Sequence, residues 1–247
     1  MIIAVWIITF ISEYLDSGLG MGYGTALAPL LILLGFEPAQ VVPAVLISQL
    51  LTDIAACVVH HNFHNVDLKI YSKDFKIALI MGVVSSLGVF FSVLIALRIP
   101  AWVLTLYIGV LVLGMGVVIL LTRNKNIRFS WGKILGISFL AAFNKGISGG
   151  GYGPLVMGGQ VLSGVKANNA VGITAFAEAV TCLVGFIVYV LHGKNIEWRL
   201  IGLLVIAALP AVPIAALTVK YIPSEKLREY VGGFIMLLGA LTLLKIR

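Results

Sequence analysis

Charge is scarce in this 247-residue chain: Asp, Glu, Lys and Arg make up 11% of it, 10 acidic residues against 17 basic ones. A soluble domain carries about 25% charged residues, so a water-facing surface cannot be built from this composition. Cysteine is scarcer still. Cys57 and Cys182 both stand in apolar surroundings, which excludes a disulfide framework, a redox dithiol or a cysteine-based zinc site. Both read as small core hydrophobes. The chain also lacks a P-loop and any nucleophile–base pair, which argues against an enzyme. The net charge of +7 does not form a basic patch. It concentrates in short loops, which excludes a nucleic-acid partner and suits the orientation signal of membrane proteins.

What the chain has in abundance is apolar sequence: 60% hydrophobic residues and a mean hydropathy of +1.09. The runs Ile77–Leu97, Ala101–Leu121, Ala170–Leu191, Leu200–Val219 and Val231–Leu244 predict an all-α, multi-pass protein of the inner membrane, with the lipid bilayer as its solvent. The first apolar segment has no basic leader or small-residue cleavage site, so it is expected to stay in the core.

The chain repeats itself. A shift of 129 places Gly20, Gly22, Tyr23 and Gly24 on Gly149, Gly151, Tyr152 and Gly153, and Leu33, Gly35, Val42 and Thr52 on Leu162, Gly164, Val171 and Thr181. A shift of 130 lays "NVDLK" (Asn65–Lys69) on "NIEWR" (Asn195–Arg199), and one of 123 lays Ile99, Pro100, Leu104, Tyr107 and Gly109 on Ile222, Pro223, Leu227, Tyr230 and Gly232. The order is collinear, and the shift changes only where loops change length. The expected organisation is an N-terminal membrane repeat over 1–122, a basic cytoplasmic linker over 123–133 and a C-terminal membrane repeat over 134–247.

Each repeat holds three spans of ordinary length; in the first they are Val41–Val59, Ile77–Leu97 and Ala101–Leu121. Before them stands a segment broken by glycines. Ile2–Leu15 and Thr25–Leu34 would be helices of about 21 and 15 Å, against a hydrocarbon core of about 30 Å. A re-entrant hairpin makes the repeats inverted, four helices plus four; one long broken helix makes them parallel. The positive-inside rule divides Lys and Arg 11 to 5 under either arrangement once Lys145 is set aside, and places the loops 60–76 and 123–133 in the cytoplasm. Short half-helices favour the hairpin, a recurring transporter design.

Glycine permits the backbone angles of such a break and a close approach to a ligand. Unwound backbone survives at membrane depth where protein or water satisfies it. The helices that restart after "SGLGMGYG" and "NKGISGGGYGP" present unpaired N–H groups, which favour an anion. The expected binding set is Gly20, Gly22, Tyr23, Gly24 and Thr25 from the first break, Asn144, Lys145, Gly149, Gly150, Gly151, Tyr152 and Gly153 from the second, and Gln49 and Thr181 from the helices that follow. Close helix contact through small residues is the competing explanation of the same glycines.

The paired breaks, the Gly35 and Gly164 steps ("GF" and "GV") and the "NVDLK" and "NIEWR" loops resemble the sulfite exporter TauE/SafE family, also called the toluene-sulfonate uptake permease family. The resemblance covers nearly the whole chain. It implies a secondary transporter for sulfite, organosulfonates such as sulfoacetate, or related sulfur oxyanions, and no organic cofactor. The first copy reads "GLGMGYG" where the second has three adjacent glycines, so its anion site is expected to be the looser one.

Ionisable residues inside a span are functional candidates. Glu178 and its repeat mate Gln49 fall mid-span, with Asp53 one turn beyond Gln49. Glu178 and Asp53 are candidates for carrying a coupling proton, or for tying helices together. Lys145 either neutralises a substrate oxygen, pairs with Glu178 or snorkels to the interface. Thr52 and Thr181, also mates, either line the cavity or bond back to their own helices. Glu13 and Asp16 are expected at a polar mouth. His60, His61 and His64 read as an interfacial cluster rather than a metal site. The alternative to an anion carrier is a carrier for a divalent cation using His60, His64, Asp53 and Glu178.

Overall fold

The computed structural model describes residues 2–122, 131–162, 165, 167–192, 196–218, 233, 236–238 and 240–244. Most of the linker 123–133, and the repeat matches at Gly164, Asn195, Ile222, Pro223, Leu227, Tyr230 and Gly232, lie outside these residues. Among the described residues every regular element is a helix: α1 (Ile2–Leu19), α2 (Tyr23–Leu33), α3 (Pro38–Asn62), α4 (Lys73–Ala96), α5 (Ala101–Thr122), α6 (Trp131–Ser148), α7 (Tyr152–Leu162), α8 (Ala167–His192), α9 (Trp198–Ala208) and α10 (Ala211–Thr218). Among the described residues five stretches are long and apolar enough to cross a membrane: Ile2–Leu19, Pro38–Asn62, Lys73–Ala96, Asn168–His192 and Trp198–Leu217.

Local chemistry sets the boundaries. Pro38 opens α3 behind Glu37, whose side chain forms a capping box with Gln40. The Ser72 hydroxyl accepts the Phe75 N–H at 3.0 Å and starts α4. At the end of α2, Gly35 adopts a φ of 107°. There the Phe36 N–H reaches the Leu31 carbonyl and the Gly35 N–H that of Ile32, a Schellman closure. Helix α3 ends in the same way, with His64 in the left-handed position (φ 59°) and the Asn65 N–H on the His60 carbonyl.

The expected first half-helix stops at Leu15, but α1 runs on to Leu19, 18 residues or about 27 Å. The extension survives because its polar residues are satisfied inside the protein. Ser17 Oγ donates to Glu13 Oε1 at 2.6 Å, and the Gly20 N–H donates to the Asp16 carbonyl at 2.6 Å. Only the piece after each break is short: α2 and α7 have 11 residues each. Helix α2 packs on α1, and α7 on α6.

Helices α3 and α8 meet at the centre. Helix α4 lies against α6 and α8, while α1 lies against α9 and α10 and α3 against α9. The surface is apolar: Ile3, Ile7, Ile54, Val83, Leu87, Phe91, Leu140, Leu191 and Ile206 are all exposed. The interior holds the polar groups, with Glu13, Asp16, Gln49, Thr52, Asp53, Lys145, Glu178 and Thr181 all buried. This inversion of the water-soluble pattern is what a lipid solvent selects.

Candidate functional site

Both helix breaks turn on glycines with positive φ: Gly20 (67°) and Gly22 (136°) in the first, Gly149 (76°) and Gly151 (83°) in the second. The two breaks meet backbone to backbone. A Cβ on Gly24 would overlap the Gly149 carbonyl; one on Gly150 would stand 2.6 Å from the Gly24 carbonyl, and one on Gly153 2.5 Å from that of Gly20. The Gly151 N–H crosses the junction to Thr25 Oγ1 at 3.0 Å. Small-residue contact and an unwound turn therefore occur together at these glycines.

The side chains around the junction are already engaged. Tyr23 and Tyr152 are fully buried; their hydroxyls lie 2.8 Å from Ser48 Oγ and 2.9 Å from Ser85 Oγ. Asn144 accepts the Tyr107 hydroxyl through Oδ1. Thr181 Oγ1 donates to the Ala177 carbonyl and Thr52 Oγ1 to that of Gln49, so both threonines bond back to their own helices.

At the centre runs a chain of four side chains. Asp16 Oδ1 accepts the Tyr23 N–H at 3.1 Å and so caps α2; a protein carboxylate stands where a helix N-terminus favours an anion. Asp16 Oδ2 accepts Gln49 Nε2 at 3.1 Å. Gln49 Oε1 in turn accepts Lys145 Nζ at 2.6 Å, and Lys145 also reaches Glu178 Oε1 at 2.6 Å. Lys145 is wholly buried and paired with Glu178, not snorkelling. Four helices supply this chain: α1, α3, α6 and α8.

Asp53 completes the centre. One ligand oxygen from each of Asp16, Asp53 and Glu178 lies within 4.8 Å of the other two. They border a small cleft of about 10 Å³, also lined by Ser17, Gly20, Ala56, Val171, Thr174 and Ala175. Asp53 Oδ2 and Glu13 Oε2 are buried without a hydrogen-bond partner. Asp16, Asp53 and Glu178 are thus gathered around the Lys145 ammonium, with Glu13 beside Asp16.

The structure brings Gln49, Asp53, Lys145 and Glu178 together as candidates of one site. It adds Asp16 and Glu13, which the sequence reading assigns to a mouth. Register could have found Asp16: the shift of 129 that pairs the glycines also lays Asp16 on Lys145. His60 is not interfacial: it adjoins the cleft through Ser17. His60 is buried with Nε2 2.9 Å from the Ser17 carbonyl and Nδ1 3.1 Å from Asn65 Nδ2, and His64 falls beyond the end of α3, so the two do not share a helix face.

A buried ionisable network at interrupted helices, inside a helical protein with an apolar exterior, defines a membrane transporter. Residues 5–244 match the family model described as Sulfite exporter TauE/SafE, and the chain belongs to that family of membrane transporters, which are not enzymes. The chain is also 28% identical over 250 residues to the Bacillus subtilis protein named "Probable membrane transporter protein YtnM", covering 96% of this chain and 81% of that one. No solved structure matches it.

Proposed function

We propose that this chain is a secondary transporter that exports small sulfur-containing anions, sulfite or organosulfonates, across the inner membrane by alternating access. The observation that carries the reading is Lys145, a fully buried ammonium at the end of α6, immediately before the second glycine break. A desolvated cation in a membrane interior is costly unless it serves a charge partner, and the breaks expected to hold the anion stand beside it. In the described arrangement Glu178 and Gln49 occupy Lys145. A substrate oxyanion takes their place when Glu178 is neutralised by a proton, which ties anion movement to protons through Glu178 and Asp53. The glycines, tyrosines, Thr25, Asn144 and Thr181 of the expected set frame this position.

The proposed architecture is two inverted repeats of four helices each, joined by the 123–133 linker, with that linker and the 60–76 loop in the cytoplasm. The packing supports it: α6 on α4 corresponds to α1 on α9 and α10, and α4 on α8 to α9 on α3. The contact of α2 with α1 and of α7 with α6 is in keeping with re-entrant breaks. Export of a dianion from a negative-inside cell is favoured by about 2.3 kcal/mol per charge per 100 mV.

Flux into and out of proteoliposomes, challenged with sulfite, sulfoacetate, taurine, sulfate, thiosulfate and chloride, tests the reading. Saturable transport of sulfite or a sulfonate, abolished by Lys145→Ala, is the expected result. Transport that is indifferent to Lys145, or absent for every sulfur anion, refutes it. A carrier for a divalent cation is the second reading, favoured by the carboxylate cluster; it loses His60 and His64 as ligands.

A further inference from the structure

The cleft beside Lys145 has a chemistry of its own. Three carboxylate oxygens, from Asp16, Asp53 and Glu178, lie within 4.8 Å of one another. The centre of an equilateral triangle of that side is about 2.8 Å from each corner, and smaller triangles bring it closer; calcium–oxygen distances are about 2.3–2.6 Å. The cleft they border measures about 10 Å³, the room one water-sized species needs. The second, independent observation is Asp53 Oδ2. Asp53 is 97% buried, being 3% exposed, it lines this cleft, and this oxygen accepts no hydrogen bond. A carboxylate oxygen that no protein donor reaches is among the most costly groups to bury. Lys145 makes its ion pair with Glu178 and also acts on Asp16 and Asp53, so among the described residues one ammonium serves three carboxylates.

We infer that Asp16, Asp53 and Glu178 bind one hard metal cation of sodium or calcium size, which competes with the coupling proton for Glu178 and Asp53 and so enters the coupling of the anion. The site is distinct from the Lys145 anion position but adjoins it through Glu178; the coupling role, not the site itself, rests on the anion-transport reading. The donor set is all oxygen, which selects against zinc and copper. The open, incomplete shell suits an ion with flexible coordination better than magnesium, which demands a near-ideal octahedron. Asp53 and Glu178 lie about midway along α3 and α8, and Asp16 in the last turns of α1, so the ion joins helices of both repeats. When it leaves, three carboxylates repel one another across the interface that has to open.

The test uses the full-length protein in lipid nanodiscs, free of sulfur anions. Thermal unfolding is followed in sodium chloride, calcium chloride and potassium chloride against choline chloride at matched ionic strength. The wild type is expected to gain a saturable rise in midpoint with sodium or calcium. Asp53→Asn, close in shape, should weaken half-saturation by about tenfold or more. Asp74→Asn, in the α3–α4 connection side of the fold where Asp74 accepts Asn169, should keep the response. Equilibrium binding of radiolabelled sodium and calcium to the wild type needs no variant and should reach one ion per chain. No binding of either ion, or an identical response in Asp53→Asn, overturns the inference. Cation binding without any sulfur-anion flux keeps the site and refutes the substrate class. Sulfur-anion flux without cation binding keeps the transporter reading and refutes the site.

Discussion

Replacing Lys145 by methionine removes the ammonium while keeping a side chain of similar length. Lys145 is 0% exposed and Glu178 3%, and Nζ stands 2.6 Å from both Glu178 Oε1 and Gln49 Oε1. Two losses follow from the one change. Glu178 becomes a buried carboxylate without its counter-charge, a break that costs about 3–5 kcal/mol. Gln49 Oε1 loses its donor, which adds about 1 kcal/mol. A chain of this size loses about 2–4 °C of midpoint per kcal/mol, so the unfolding midpoint should fall by roughly 8–24 °C. The double variant Lys145→Met/Glu178→Gln carries neither charge and should recover about half of that loss or more. Thermal unfolding of wild type, Lys145→Met, Glu178→Gln and the double variant in one lipid composition reads the cycle. A Lys145→Met midpoint within about 2–4 °C of wild type, or a double variant showing the plain sum of the single losses, would refute the buried-pair account.

Gly22→Val and Gly151→Val should each abolish anion flux while inserting normally, because both positions hold a positive φ that a β-branched residue strains; normal flux in both variants would remove the breaks from the transport path. Gly24→Ala should prevent assembly of the fold, since its Cβ overlaps the Gly149 carbonyl. Gly35→Ala, with nothing within 4 Å of its Cβ, should lose only about 1–2 kcal/mol to its backbone strain; equal yields of folded protein from the two alanine variants would contradict the contact. A reporter fused to the C-terminus should lie outside the cell under inverted repeats, and a cytoplasmic signal would make them parallel.

Much of the helix pattern was legible because long apolar runs and glycine breaks are local signals. The end of α1 was not. Asp16 and Ser17 look like the polar limit of a half-helix, and only partners distant in sequence, such as Gln49 on α3 and His60 at the end of α3, let the helix continue past them. Gln49 and Glu178 were legible as mid-span mates. The equivalence of Asp16 and Lys145 stood in the same register but was masked by opposite charge: an identity search passes over a carboxylate aligned with an ammonium, although the pair hold corresponding places before their breaks. The glycine alternation announced close contact or an open turn, and sequence alone cannot say which backbone lies opposite. For His60 the spacing to His64 suggested one helix face; the Schellman closure after Phe63 takes His64 off it.

The backbone-to-backbone junction of the two breaks has a mechanical meaning. Interdigitated side chains act as gear teeth, so one helix cannot shift on another without repacking. Where Gly20 faces Gly153 and Gly24 faces Gly150 there are no teeth, and the surfaces form a plain bearing. The hydrogen bond from Gly151 to Thr25 is then its latch. If the proposed transport rocks one half of the molecule on the other, this junction would offer it little steric resistance, and the buried charges would hold or release the motion.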